Sequence, residues 1–179
     1  MAIESQEVWS LETELEHVRH LNTRVRLVAP ELADSVDGLL DRIVPLAPAP
    51  GAGTRACIHG DCKPSQFLVD GSRVALVDFD RACLGDVAVD VGNFMAALRK
   101  EVVRGREYGR ELASHFRSEY ERCSGRSGLV DRARVFESAA LVRMAVRAFK
   151  RSPKRYAHKG GDSLPVLLLR EAAECLANP

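Results

Sequence analysis

Six aspartates, Asp61, Asp70, Asp78, Asp80, Asp86 and Asp90, crowd the stretch IHGDCKPSQFLVDGSRVALVDFDRACLGDVAVDVG, residues 58 to 92. Their neighbours are short β-prone apolar runs, where a carboxylate is costly to desolvate unless a metal ion or hydrogen-bond donors compensate it. Asp61 and Gln66 lie five residues apart across a loop holding Lys63 and Pro64, and Asp78 follows at the end of the second β-prone run of a hairpin. That set suits phosphoryl transfer: a carboxylate to orient an attacking hydroxyl, oxygen ligands for hard Mg²⁺ ions, and a cation near the transferring phosphate.

The elements that must position these residues follow from periodicity. Val8, Leu11, Leu15, Val18, Leu21, Val25 and Val28 recur at steps of three and four, predicting a helix that ends near Ala29. Pro30 suits the first turn of a second helix carrying Leu32, Val36, Leu39, Leu40 and Ile43, and LAPAPGAGT breaks it. Strands are predicted at Ala56 to Ile58, Phe67 to Val69 and Val74 to Phe79, the last two joined as a hairpin through Asp70-Gly71-Ser72. Helices are predicted again over Val91 to Val103, Tyr108 to Cys123, Val130 to Lys150 and Leu164 to Ala177. The expected fold class is α+β and mainly helical, one domain over residues 1–179: a helical part over 1–50, the polar loops over 55–95 and a helical subdomain over 96–179.

At the loop residues a resemblance becomes specific. HGDCKPSQ resembles the catalytic loop of the aminoglycoside phosphotransferase and choline kinase family, and more distantly the HRDxKPxN loop of protein kinases. VDFD resembles the family's magnesium-binding segment, and GDVAVDVGNF the element that follows it. The resemblance implies Asp61 as catalytic base, Gln66 and Asp78 as magnesium ligands, Lys63 as a γ-phosphate contact, and His59, Asp86 and Asp90 as braces of the loop. Asp80 reads either as a further metal ligand or as a surface carboxylate. The family usually has Asn where this chain has Gln66, whose side chain is one methylene longer. The fold implied is the C-terminal lobe of the protein-kinase-like fold. Only 58 residues precede His59, and they read as helices. An N-terminal lobe with its Gly-rich loop and ATP-binding lysine is therefore expected to be missing, and Gly51-Ala52-Gly53 reads as a connector.

The activity implied is Mg²⁺-dependent transfer of the γ-phosphate of ATP to a hydroxyl of a small molecule, completed by a partner chain that supplies an N-terminal lobe or by a homodimer. The alternative is a non-catalytic, pseudokinase-like lobe that binds a partner. A glycosyltransferase-like role for Asp78-Phe79-Asp80 ranks last, because the nucleotide-binding α/β fold it needs is not in evidence.

Bulk properties bound the rest. The chain has 179 residues, 46% of them hydrophobic and 28% charged, with a net charge of +1, so nothing global points to nucleic acid or a membrane surface as partner. No apolar run reaches the length of a membrane span and no signal peptide is legible, so a cytoplasmic protein is expected. The five cysteines, Cys57, Cys62, Cys83, Cys123 and Cys175, form no C-x-x-C pair and read as reduced thiols. Cys62, beside Asp61, reads as an inert packed thiol. The basic run Arg143, Arg147, Lys150, Arg151, Lys154, Arg155 and Lys159 reads as a solvated helix face and loop, the other reading being a patch for an anionic substrate or nucleic acid. The stripe Leu11, Leu15, Val18 and Val25 reads as core packing.

Overall fold

The computed structural model describes residues 8–48, 55–126 and 128–177. The connector proposed at Gly51 to Gly53 lies outside them, as does the extreme N-terminus.

Two helices open the chain, α1 (Leu11–Arg26) and α2 (Pro30–Ile43). The start of α1 is set by Ser10, whose hydroxyl accepts from the Thr13 amide at 3.4 Å, with Glu12 and Glu14 in the positive first turn and Arg24 and Arg26 in the last. Val8 and Val28, expected at the ends of this helix, fall outside it and are exposed. Pro30 occupies the first turn of α2, where its missing N–H leaves no intrahelical bond unmade. Leu15, Val18, Val25, Val36, Leu40 and Ile43 are sealed where the pair meets the rest of the core.

The middle of the chain builds two small antiparallel sheets. Strands β1 (Arg55–Ile58) and β4 (Cys83–Asp86) pair with Ile58 opposite Cys83. Strands β2 (Phe67–Asp70) and β3 (Arg73–Leu76) form the expected hairpin, turning through Gly71 and Ser72. β4 was not legible in the sequence, and the run read as strand to Phe79 ends at Leu76. Phe79–Arg81 closes instead into a 3₁₀ turn.

Five helices complete the described residues: α3 (Ala88–Val103), α4 (Tyr108–Ser124), α5 (Leu129–Arg151), a short α6 (Pro153–Lys159) where the sequence suggested a basic loop, and α7 (Leu164–Ala177). α5 is the central strut, packing on α3 and α7 and also on α1 and α2. Leu141, Val142 and Leu168 along that seam are inaccessible. Each such side chain stabilises the fold by roughly 1.5–3 kcal/mol relative to exposure. Helices α3 and α5 approach closely because Gly92 has no side chain; a Cβ there would stand 2.7 Å from the Cβ of Phe136. No helix among the described residues is long and apolar enough to cross a membrane.

Candidate active site

The loop between β1 and β2 carries Asp61, Lys63 and Gln66, and the segment after β3 carries Asp78 and Asp80. A chain of hydrogen bonds joins the two. Lys63 Nζ donates to Asp61 Oδ2 at 2.7 Å, the Lys63 amide donates to Gln66 Oε1 at 3.0 Å, and Gln66 Nε2 donates to Asp78 Oδ2 at 2.9 Å. Gln66 is buried, so its amide is fixed from both ends: the oxygen must face the Lys63 N–H and the nitrogen therefore faces Asp78. Lys63 and Asp61 are part-exposed. Asp78 and Asp80 are exposed, and Asp80 has no hydrogen-bond or ion-pair partner among the described residues.

Backbone geometry singles out Asp78. It has φ 72° and ψ 52°, the one non-glycine residue in the left-handed region among those described. An aspartate tolerates this conformation better than most residues, yet it is held there by its surroundings. The twist turns the chain from β3 into the Phe79–Arg81 turn. Gly60 makes the matching approach from the other loop: its φ is +78°, and a Cβ there would lie 2.3 Å from the carbonyl oxygen of Arg81. The two loops thus touch backbone to backbone.

Helix α3 braces the first loop through its first two turns. Asp90 Oδ2 accepts from the His59 amide at 2.7 Å and Oδ1 from the Gly60 amide at 2.9 Å, while Asn93, one turn on, donates from Nδ2 to Gly60 O at 3.3 Å. His59 is buried, its Nε2 2.9 Å from Val77 O, so Nε2 carries the proton and bridges the two loops; its ring packs on Phe79 at 4.9 Å. Asp86 stands apart from this work. Its Oδ1 accepts from the Ala88 amide at the start of α3 and from Arg132 Nη2 on α5, both at 2.9 Å.

A second layer of charge sits beneath Asp61. Arg143 is 3% exposed, so it does not belong to the solvated face that the sequence suggested. It turns inward because Glu14 waits there: Nη1 donates to Glu14 Oε1 at 2.6 Å, Nη2 donates to Asn93 Oδ1 at 2.8 Å, and Nη2 stands 3.9 Å from Asp61 Oδ1. Arg81 reaches the other oxygen of Glu14 at 3.4 Å. Burial alone would raise the Glu14 carboxyl, but Arg143, followed by Arg81 and Arg147, outweighs it and holds the group below its ordinary value. Sequence reasoning assigned no role to Glu14, Asn93 or Arg81, and placed Arg143 on a solvated basic face. A signal existed in the two helices: Glu14 and Arg143 are opposite charges placed on otherwise apolar helix faces, beside Leu15 and Val142.

Cys62 is reactive in position but not in chemistry. Burial, then the carboxylates of Asp90 and Asp61, push its thiol up to about 12 against the opposing pull of Lys63.

Hard oxygen donors are available for a cation, yet among the described residues no group of three or more His, Cys, Asp or Glu side chains could hold one alone. Asp78 has an oxygen that Gln66 does not engage, which suits an ion held by one or two carboxylates and the phosphates of a ligand. Gln66 Oε1 is already committed to the Lys63 amide, so in this arrangement Gln66 orients Asp78 through its nitrogen.

Comparison with known proteins bears on the whole arrangement. No curated protein and no solved structure gave a match. A family model, that of the phosphotransferase enzyme family (APH), matches residues 3–129, a span holding α1, α2, both sheets, α3 and α4 and every residue of the two loops. Nearly all of α5, with Arg143, and all of α6 and α7 lie beyond the match. With most of its length covered, and the hydrogen-bonded Asp61–Lys63–Gln66–Asp78 chain inside the matched part, this chain belongs to the phosphotransferase enzyme family.

Proposed function

We propose that the chain is a Mg²⁺-dependent phosphotransferase moving the γ-phosphate of ATP to a hydroxyl of a small molecule, with Asp61 as its base. The observation that carries this reading is the hydrogen-bonded chain linking Asp61 and Lys63 to Gln66 and Asp78. ATP would supply the phosphoryl group and leave as ADP, and Mg²⁺ bound with it would offset the charge on the phosphate oxygens. Asp61 accepts the proton of the attacking hydroxyl and points it at the phosphorus. Lys63, whose ammonium lies 2.7 Å from Asp61 Oδ2, offers its charge to the phosphate oxygens. Asp78 offers its oxygen to the metal, held on course by Gln66, and Asp80 stands as an additional ligand on the adjoining turn. Asp90 and Asn93 fix the loop so that these groups need not reorganise during transfer. The remaining grip on the nucleotide is assigned to a further lobe, carried by this protein or by a partner chain, and the setting to the cytoplasm.

A second reading, a non-catalytic lobe that binds a partner, has one specific observation in its favour: Gln66 presents an amide nitrogen, not an oxygen, to Asp78. Calorimetric titration with Mn²⁺ separates the two. Weak binding that disappears in Asp78→Asn supports the phosphotransferase, and binding that is absent, or indifferent to that substitution, supports the second reading.

A further inference from the structure

Arg147 follows Arg143 by one turn of α5 and shares its face. Arg143 is engaged by Glu14 and Asn93, but Arg147, half-buried, has no hydrogen-bond or ion-pair partner among the described residues. It stands near enough to Arg143, Glu14, Arg81 and Asp61 to feel their charges. The neighbouring carboxylates have little left to give it. Glu14 spends one oxygen on Arg143 and the other on Arg81, and Asp61 Oδ2 holds Lys63. In this cluster the cations Arg81, Arg143, Arg147 and Lys63 therefore outnumber the carboxylates Glu14 and Asp61. Burial and then the like charges of Arg143 and Arg81 pull the Arg147 guanidinium below its ordinary value, against the opposing pull of Glu14 and Asp61. A guanidinium stays protonated regardless, and a half-buried one is normally paired. None of its nitrogens is sealed from solvent without a partner, which leaves the fork open to a ligand.

From this we infer that Arg147, with the part-exposed Arg81, anchors an anionic group, carboxylate or phosphate, on the hydroxylated acceptor whose hydroxyl meets Asp61. The inference rests on the phosphotransferase reading of Asp61 and names its substrate class: a hydroxy acid or a sugar-phosphate-like molecule, as opposed to a neutral polyol or a cationic amino alcohol. A planar fork that recognises two oxygens at once makes arginine suited to either anion.

The test uses the full chain and four probes: glycerol 3-phosphate, D-glycerate, glycerol and choline. Binding is read by calorimetry and by the shift in melting temperature. At least one of the two anions is expected to bind and stabilise the protein, the stronger identifying phosphate or carboxylate as the natural group, whereas glycerol and choline do neither. Arg147→Gln should weaken anion binding by about tenfold or more, as expected for losing a charge-assisted contact. Without ligand that variant should melt no lower than the wild type, since a like charge has been removed, and Arg147→Lys should bind with intermediate affinity. The inference is overturned if glycerol or choline binds as well as the anions, if Arg147→Gln retains full anion affinity, if it weakens ATP instead, or if it fails to fold. Phosphotransfer assays on the wild type keep the two claims apart. Anion binding there with no Asp61-dependent transfer leaves the anchor standing and removes the phosphotransferase, whereas Asp61-dependent transfer indifferent to Arg147→Gln does the reverse.

Discussion

Arg143 Nη1 donates to Glu14 Oε1 at 2.6 Å, joining α5 to α1 across 129 residues of sequence directly beneath Asp61. Both side chains are buried, 3% and 9% exposed, so neither charge can fall back on water if the other is removed. Glu14→Gln is expected to cost about 3–5 kcal/mol of unfolding free energy, the range for breaking a buried pair on one side. The effect should depend on acid in a definite direction. The folded-state value of Glu14 lies below its ordinary 4.5, so its contribution is present above that pH and is lost as the pH falls through the lower folded value. Urea unfolding of wild type and variant at neutral pH and in mild acid should show the gap narrowing as the pH drops.

Gly60 is expected to tolerate no side chain. Gly60→Ala forces a Cβ against the Arg81 carbonyl at 2.3 Å and strains a backbone at φ +78°, so it should both destabilise the protein and separate the two loops. Asp90→Ala leaves the His59 and Gly60 amides without acceptors and should cost about 1.5–3 kcal/mol for each charge-assisted bond lost. Thermal unfolding measures both. A Gly60→Ala protein as stable as the wild type would contradict the close approach.

The thiols should sort by environment. Cys57 and Cys123 are exposed, whereas burial pushes Cys62 and Cys175 up to about 12. At pH 8, iodoacetamide should modify Cys62 far more slowly than an ordinary exposed thiol, by roughly a thousandfold on thiolate fraction alone, because the thiolate is the reacting species. Mass spectrometry of a labelling time course checks this, and Cys62→Ser should leave any phosphotransfer nearly unchanged.

Much of this molecule was legible in the sequence because local signals and tertiary demands agree. The stripe Leu11, Leu15, Val18 and Val25 is core, Pro30 opens a helix, and the Asp70-Gly71-Ser72 turn closes a hairpin, each for a reason contained within a few residues. β4 was missed because Cys83–Asp86 has little strand character of its own and is held by β1 and by the Trp9 amide, which donates to Leu84 O at 2.7 Å. Arg143 was misplaced on a solvated face since its reason for burial, Glu14, lies at the far end of the sequence. The orientation of the Gln66 amide likewise depends on what its two ends meet, which residue identity does not reveal. Asp90 was legible as a brace of the loop, and the structure ties it to the loop amides of His59 and Gly60.

The central claim, that Asp61 and Asp78 serve phosphoryl transfer, is tested most directly by following label from γ-³²P-ATP into hydroxylated acceptors with Mg²⁺, with and without a complementing N-terminal lobe. Transfer is expected, and Asp61→Asn should lower kcat by at least about a hundredfold with little change in KM, as for loss of a positioned base. Asp78→Asn should abolish the dependence on Mg²⁺ along with the transfer. Label transfer that persists undiminished in both variants, or no transfer under any of these conditions, would contradict the account.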